Sequence, residues 1–295
     1  MNKWFNPYVA LFVGVITVST SAIFVKLAEA PAEVIAFYRL FFSVIILLPI
    51  FLYKYVGELR DITKRDWLFS VLAGVFLAFH FILWFESLNY TSVASSTVLV
   101  TLQPLFAFIG TYLFFKERLS VKAMISGLIA IVGSIIISWG DFRISGMALF
   151  GDILALVACA LVTAYLLFGQ DVRKRLSLIT YTFIVYGFSC VTLFFYVLVT
   201  GEPLTGYPTT DWLWFILLAI IPTLLGHSFF NWAVKYISTN VISMSILFEP
   251  IGAAILAYLI LNEMVTWTQF IGGLLVMLSV GYFLKDNRKN KQVNL

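Results

Sequence analysis

Ten stretches of about 20 predominantly apolar residues follow one another along this 295-residue chain, with short connections between them. A helix needs a run of this length to cross a bilayer, whereas transmembrane β-strands are about half as long. We therefore predict an all-α integral membrane protein with ten transmembrane helices and no soluble domain. The predicted spans are 8–28, 34–54, 66–88, 92–115, 120–138, 149–170, 177–199, 211–235, 239–261 and 265–285.

Composition agrees with the bilayer as solvent and argues against several classes of protein. Hydrophobic residues make up 61% of the chain and charged residues 12%, against about 25% charged residues in a soluble domain. Basic residues are scattered between apolar runs, so a nucleic-acid-binding face is not expected. The two cysteines, Cys159 and Cys190, lie in apolar runs without metal-site spacing. We expect no metal and no cofactor.

The positions of the basic residues predict the orientation. With the N-terminus in the cytoplasm, 16 of the 19 Lys and Arg residues fall in cytoplasmic segments. Only Lys26, Arg39 and Arg143 fall toward the outside. Such an excess follows the positive-inside rule. It supports both this orientation and an even number of spans. The prediction is a multi-pass protein of the cell (plasma) membrane with both termini in the cytoplasm.

An internal repeat emerges when the sequence is aligned with itself at an offset of 146 residues. Pro104 then falls on Pro250, Glu117 on Glu263 and Gly127 on Gly273, in register and without a gap. Apolar helices match one another by chance, but such Pro, Glu and Gly matches are not explained that way. We predict two five-helix repeats, 1–142 and 143–295, around a central cavity. Because five is odd, the second repeat is inverted, as in many secondary transporters.

Three segments also carry a family resemblance. The stretch LNYTSVASSTVLVTLQPLFAFIGTYLFFKERLS at 88–120 and its partner YISTNVISMSILFEPIGAAILAYLILNEMVT at 236–266 resemble the paired repeats of the drug/metabolite transporter superfamily, in its EamA-like branch. So does FYRLFFS at 37–43. The resemblance covers nearly the whole chain and implies ten helices around a central cavity. It also implies transport of amino acids, other metabolites or drugs, often outward.

Glu249 is the most conspicuous polar residue, because it lies about midway along the ninth span. Intramembrane ionisable residues are costly and usually functional. Glu249 precedes Pro250, and its counterpart Gln103 precedes Pro104; each proline removes a backbone hydrogen bond and permits a local hinge. Glu249 is a candidate for proton coupling and for binding a substrate amine. A protonated, purely structural glutamate is the alternative.

One serine shares a helix face with Glu249 and another shares a helix face with Gln103. We include both serines as candidate substrate-binding residues. Ser245 lies four residues before Glu249, and Ser96 lies seven residues before Gln103, spacings that keep each pair on one face. For each serine taken alone, helix packing is the more common role.

The two histidines occupy corresponding places in spans three and eight. His80 and Trp84 are spaced i, i+4, and so are His227 and Asn231, so each pair lies on one helix face. All four are candidate substrate-binding residues, with hydrogen-bonded structural histidines as the alternative. They lack the carboxylate and cysteine companions of a metal site.

Two further residues are weighed from their depth in the spans. Tyr165, in span six, is a candidate for stacking on a substrate. Arg39 lies a turn or so inside the outer boundary. We favour snorkelling of its side chain to the interface over a role in steering an anionic group.

Together these features predict a secondary active transporter, with no enzymatic activity, that moves small organic solutes by alternating access. Export of amino acids or related metabolites and drugs is the leading interpretation, with proton coupling left open. The chain has no GxxxxGK[ST] stretch for ATP hydrolysis and no HExxH or GxSxG motif. An uncoupled carrier or a channel is the alternative, and an intramembrane enzyme is a weaker one. The expected partners are a small solute, the lipid bilayer and protons, and a monomer suffices.

Overall fold

A computed structural model describes the backbone of residues 6–116, 120–142 and 146–293. All regular secondary structure in these residues is helical. Short π-helical and 3₁₀ segments, Phe51–Tyr55 and Val56–Asp61, extend the third helix, and a π-helical segment, Ala219–His227, joins the tenth to the eleventh. The α-helices are α1 (Pro7–Val18), α2 (Ser21–Leu27), α3 (Ala32–Ile50), α4 (Lys64–Ser87), α5 (Val93–Val100), α6 (Gln103–Phe115), α7 (Val121–Phe142), α8 (Gly146–Val172), α9 (Leu178–Thr200), α10 (Thr209–Leu218), α11 (Ser228–Ala233), α12 (Thr239–Ile246), α13 (Glu249–Leu261) and α14 (Trp267–Val293).

Eight helical stretches among the described residues are long and apolar enough to cross a membrane. They coincide, within two residues at each end, with eight of the ten predicted spans, except that the second stretch continues to Asp61, seven residues beyond its predicted end. Two shorter apolar helices, Val121–Ile136 and Trp267–Phe283, lie where spans five and ten are expected. For these two segments, crossing the membrane stays a prediction.

Several helices begin at side-chain caps that the sequence places before the apolar runs. The side chains of Thr63, Ser92 and Ser177 each accept a hydrogen bond from a backbone N–H in the first turn of α4, α5 and α9. Such caps satisfy backbone donors that have no partner within the helix. At the other end of α9, Gly201 adopts a positive φ of 78°, a conformation that glycine adopts without steric cost.

The outer helix surfaces are apolar, as a lipid-facing surface must be. Many large aliphatic and aromatic side chains are exposed in the isolated chain, including Phe12, Val199, Leu259 and Trp267. In a soluble monomer, an apolar surface this extensive would promote aggregation. This exposure and the eight long apolar helices agree with a membrane protein.

The helix pairings occur in matched sets. Helix α4 packs along α8, and in the second half of the chain the π-helical segment and α11 pack along α1. In the same way α5 packs on α13 and α6 on α12, whereas α3 packs on α9 and α7 on α14. The first residues of α3, α5, α6 and α7 each lie 146 positions before those of α9, α12, α13 and α14.

The close approach of α4 and α9 depends on Gly74. A Cβ atom at this position would lie 2.8 Å from the backbone oxygen of Val185 and 2.9 Å from the Cβ of Phe188. The Ser189 hydroxyl also donates a hydrogen bond to the Gly74 carbonyl. Because one obstacle is backbone, the two helices must separate to admit any side chain. Gly187, on α9, has no atom within 4 Å of the corresponding Cβ position.

We expect Gly74→Ala to destabilise the folded protein by about 1–3 kcal/mol, the usual range for an overpacked core. Gly187→Ala is the matched control and should be neutral or slightly stabilising, because alanine favours helix over glycine. Thermal unfolding of the purified proteins in the same detergent measures both effects. Equal melting temperatures for the two variants would contradict the packing described for α4 and α9.

Candidate functional site

Two membrane spans are interrupted at corresponding places. The backbone leaves the helix at Thr101–Leu102, between α5 and α6, and at Leu247–Phe248, between α12 and α13. Gln103 and Glu249 are the first residues of the helices that follow, and Pro104 and Pro250 are the second. Proline is well tolerated there, because the N–H that it lacks would have no partner within the helix.

The ends of these two half-helices correspond as well. Lys116, which follows α6, and Asn262, which follows α13, have almost identical left-handed conformations, with φ of 56° in both. They are the only non-glycine residues with positive φ in the described part of the chain. The two interrupted spans therefore share one local geometry from start to end.

Around the interruptions lies a closed central cavity. Its volume is about 20 Å³, room for about one water molecule. Side chains from seven of the apolar helical stretches meet there, among them the stretch that contains the π-helical segment. The lining residues are Val18, Ser21, Arg39, His80, Trp84, Val100, Gln103, Val162, Tyr165, Leu166, His227, Phe230, Ile246 and Glu249.

Six of the predicted substrate-binding residues line this cavity: His80, Trp84, Gln103, Tyr165, His227 and Glu249. The imidazole of His80 is held by its Nδ1, 3.0 Å from the carbonyl oxygen of Ala158. Its ring stacks on that of Trp84, with the centroids 5.7 Å apart. The histidine–tryptophan face predicted from i, i+4 spacing is thus turned toward the cavity.

The other three predicted residues do not line the cavity. Asn231 contacts the cavity-lining residue Tyr165 instead of the cavity itself. Its Oδ1 accepts a hydrogen bond of 2.7 Å from the hydroxyl of Tyr165. The Ser96 hydroxyl is buried 2.6 Å from that of Ser87, where it joins α5 to α4. Ser245 lines a groove on the outer surface between α1 and the α12–α13 pair, and its hydroxyl donates to its own helix, at Val241.

Arg39 is where the structure corrects the sequence-based expectation. We predicted a snorkelling side chain, but Arg39 is 0% exposed and lines the central cavity. Its Nε donates to the Thr223 hydroxyl at 2.6 Å and its Nη1 donates to the Ser21 hydroxyl at 2.9 Å. The guanidinium carbon lies 4.0 Å from the ring centroid of Phe81. Arg39 lies seven residues into α3, about 10 Å along the helix. At this depth its side chain can point toward the centre of the bundle as well as toward the membrane surface.

Ser21 and Thr223, which hold Arg39, were not predicted as site residues. Ser21 begins α2, directly after the break that separates it from α1, and Thr223 lies in the π-helical segment that contains Pro222. The Thr223 hydroxyl donates to the Leu218 carbonyl, five residues back, at 2.8 Å. Segments of π-helix occur frequently at functional sites. Pro222, inside an apolar run, is the only sequence signal that pointed to this segment.

Four polar atoms that line the cavity are buried and have no hydrogen-bonding partner among the described residues. They are Arg39 Nη2, Trp84 Nε1, Gln103 Oε1 and His227 Nδ1. Leaving a buried polar group without a partner costs about 1–3 kcal/mol, so buried polar groups are normally satisfied. A cluster of four around one cavity can bind a polar molecule that supplies the missing partners. Among the described residues, no group of three or more His, Cys, Asp and Glu side chains is placed to hold a metal ion.

Comparison with known families gives the class of protein. The model of the EamA-like transporter family matches the chain twice, at residues 6–139 and 149–284. The chain belongs to this family. It is therefore a membrane protein of a transporter family. In this chain the candidate site lies at the centre of the helix bundle.

Relatives of this EamA-like protein are named as transporters. An "Uncharacterized transporter" of Archaeoglobus fulgidus is 25% identical over 92% of this chain and 93% of its own length. "Solute carrier family 35 member G1" of Mus musculus is 27% identical over 92% of this chain and 77% of its own. A crystal structure with 17% identity superposes with a TM-score of 0.73, over 96% of this chain and 98% of the other. That likeness shows a common fold.

The contact between Tyr165 and Asn231 gives a stability prediction. Tyr165→Phe removes the donor from the buried Asn231 amide oxygen, at a cost of about 1–3 kcal/mol. Thermal unfolding in detergent measures the loss. Tyr258→Phe is the matched control, because this ring is 51% exposed and should tolerate the loss of its hydroxyl. If Tyr165→Phe unfolds at the same temperature as the control, the hydrogen bond contributes nothing measurable.

Proposed function

We propose that this EamA-like protein is a secondary transporter that exports small organic solutes bearing an amino group, amino acids or related metabolites and drugs, across the plasma membrane. The observation that carries the proposal is the central cavity, in which a buried carboxyl group, Glu249, lies among polar atoms without protein partners. The substrate amine would contact Glu249 and Gln103. The ring faces of Trp84 and Tyr165 would cover its apolar part. The whole cavity lies within one chain, so a monomer suffices.

Proton coupling through Glu249 is part of the proposal. Glu249 starts a half-helix at the interruption, is 7% exposed and faces the cavity. A carboxyl group in a low-dielectric cavity favours its neutral form, whereas a nearby substrate ammonium favours the charged form. Binding of the amine and release of the proton are therefore linked at one group, and this linkage is the element that a coupled exporter needs.

Alternating access between two inverted repeats, 1–142 and 143–295, is also proposed. The matched helix pairings and the two interrupted spans support it. Corresponding loops are also held by corresponding carboxylates. Asp66, in the first turn of α4, binds the Arg175 guanidinium at 2.6 Å, and we name this contact the inner latch. Asp211, in the first turn of α10, accepts hydrogen bonds from the backbone N–H groups of Glu29 and Ala30, and we name this contact the outer latch.

The two latches would hold the cytoplasmic and the outer ends of the bundle closed. Asp66 and Asp211 are 1% and 0% exposed. Arg175 also contacts Asp171 at 2.7 Å. Its bonds with Asp66 and then Asp171 raise the pKa of the Arg175 guanidinium above its ordinary value, so this partner stays charged at physiological pH. With both latches in place the cavity would be closed at both ends, as an alternating-access cycle requires between its two open states.

Two alternatives give different measurements. An uncoupled carrier has the same saturable flux without proton movement, and a channel has flux that does not saturate. An intramembrane enzyme would change a covalent bond in the solute. Saturable, stereoselective flux of an unchanged solute separates the proposed carrier from the channel and from the enzyme.

The first test is flux in liposomes that contain the purified protein and a pH-sensitive dye. Adding the transported amino acid should move protons in the wild type. In Glu249→Gln the proton signal should fall to that of empty liposomes, because the variant has no carboxyl to protonate. Exchange of labelled for unlabelled amino acid needs no net proton movement, so it should persist in the variant, at a higher half-saturating concentration because the ammonium loses its contact with the Glu249 carboxylate. Glu202→Gln, in an outer loop, is the matched control and should behave as wild type.

Other results of this experiment reject parts of the proposal. Saturable uptake without proton movement in wild type and variant alike would mean an uncoupled carrier with a structural Glu249. Absence of saturable flux for every amino acid, amine and drug tested would reject the substrate class. The direction of transport is measured in cells fed a dipeptide, which the cells hydrolyse to the free amino acid. Expression of an exporter should lower the internal level of this amino acid and raise its external level.

The latches predict opposite effects of two conservative changes. In a variant without Cys159 and Cys190, a reporter at Val100→Cys lines the cavity. Asp66→Asn should increase labelling of the reporter from the cytoplasmic side, and Asp211→Asn should increase it from outside. A loss of about 1 kcal/mol of stabilisation at either latch changes the ratio of open to closed molecules on that side about fivefold. Membrane-impermeant thiol reagents on oriented vesicles measure both rates. Increased labelling from the same side in both variants would reject the two-latch scheme.

A further inference from the structure

The central cavity contains a cation as well as a carboxyl group. Arg39 is fully buried, and its guanidinium contacts two hydroxyl groups and the ring face of Phe81. Hydroxyl groups and ring faces are neutral partners. Its third nitrogen, Nη2, has no partner among the described residues. The guanidinium is thus oriented by neutral groups, and one of its donors is left free beside the cavity.

A buried charge is costly unless an opposite charge is near it. Arginine presents its donors as a planar fork that matches a carboxylate. Two of the three guanidinium nitrogens are fixed by Ser21 and Thr223, so the side chain is preorganised before any ligand arrives. A single carboxylate placed in the cavity would supply the missing hydrogen-bond acceptor, and a counter-charge whenever Glu249 is protonated or engaged by the substrate amine.

A second donor lines the same cavity. Trp84 Nε1 is buried and has no partner among the described residues, and an indole N–H can only donate. The indole ring is held against the His80 imidazole, whose Nδ1 is in turn bonded to α8. An anionic group can accept from the Trp84 indole as well as from Arg39, both of which line the cavity, whereas an ammonium group can accept from neither of them.

We propose that Arg39, assisted by the Trp84 indole N–H, binds the carboxylate of the transported solute, and that the substrate therefore carries a carboxylate and an amino group together. The inference rests on the proposed transport function and narrows its substrate class. The carboxylate lies at Arg39 and the amino group at Glu249, so the solute bridges the two charged groups once the cavity has widened from its volume of about 20 Å³ in this structure. Cationic amines and drugs without a carboxylate are poor substrates, because they leave Arg39 without a counter-charge and add a second cation near it.

The competing role for Arg39 is structural. Its hydrogen bonds join α3 to the start of α2 and to the π-helical segment, and Arg39 and Glu249 would then be each other's counter-charges across the cavity. A structural arginine and a binding arginine respond differently to changes made in the ligand. The test therefore varies the ligand and the residue together.

Binding is measured on purified protein in nanodiscs, by thermal stabilisation and by equilibrium binding, for the L-amino acid that binds best. Its amide and the amine that decarboxylation would give are the matched ligands, because both keep the amino group and the side chain. Wild-type protein should bind the amino acid about 10- to 100-fold more tightly than either of them, the range expected for a hydrogen bond between charged groups. Equal affinities of wild type for all three would overturn the proposal without any variant being made.

Arg39→Gln should remove most of this discrimination. The variant should bind the amide and the amine within about threefold of wild type and lose about 10- to 100-fold affinity for the amino acid. Arg39→Lys keeps a charge without the fork and should retain part of the preference. Arg60→Gln, on an exposed cytoplasmic segment, is the control. A folded Arg39→Gln protein that keeps the wild-type preference would overturn the proposal. Because binding is read apart from flux, carboxylate-dependent binding without transport would instead reject the proposed function.

Discussion

Within a bilayer, every polar group must find its partner in the protein or in a cavity, because lipid offers none. This constraint determines where the two interrupted spans can lie. Each break leaves backbone groups without helical partners, so it must be buried among other helices. The Ser19 hydroxyl donates to the Glu249 carbonyl at 3.1 Å, and the Thr101 hydroxyl donates back to Thr97 at 2.8 Å. The interruptions are therefore central, and so are Gln103 and Glu249.

The same constraint explains why the polar residues of distant spans converge. Once the centre of the bundle contains two broken helices, it is a region deep in the bundle where a buried arginine or histidine can be held by polar neighbours. Arg39 is bonded to residues at two other helix irregularities, the start of α2 and the π-helical segment. Irregular backbone and polar side chains thus support one another at the centre, while the regular helices present apolar faces to lipid.

Much of this arrangement could be predicted from the sequence, because membrane helices are long and hydropathy is a strong signal. Eight predicted spans coincide with helices of sufficient length, and resemblance to the EamA-like family is confirmed by the double match. Side-chain direction was harder to predict. Shared helix faces do not say which face is central, so Ser245 was assigned to the cavity although it faces outward. The predicted direction of the Arg39 side chain is wrong, because its depth in the span permits both snorkelling and burial. Its hydrogen bonds with the hydroxyls of Ser21 and Thr223, which are distant in sequence, favour burial.

The two ends of the bundle show how the membrane shapes chemistry at equivalent positions. Asp66 and Asp211 both begin a helix and both bind the loop between two other spans, yet the first takes an arginine and the second takes backbone N–H groups. In the predicted orientation, with the Arg175 loop in the cytoplasm and the Glu29–Ala30 loop outside, the positive-inside rule accounts for the difference. A cytoplasmic loop can carry Arg175, whereas an outer loop is depleted of basic residues, so its carboxylate partner is satisfied by amides. If these contacts open during transport as proposed, they would open differently, because an ion pair with a partly exposed arginine is screened by salt, whereas bonds from buried backbone amides respond to movement of the loop itself.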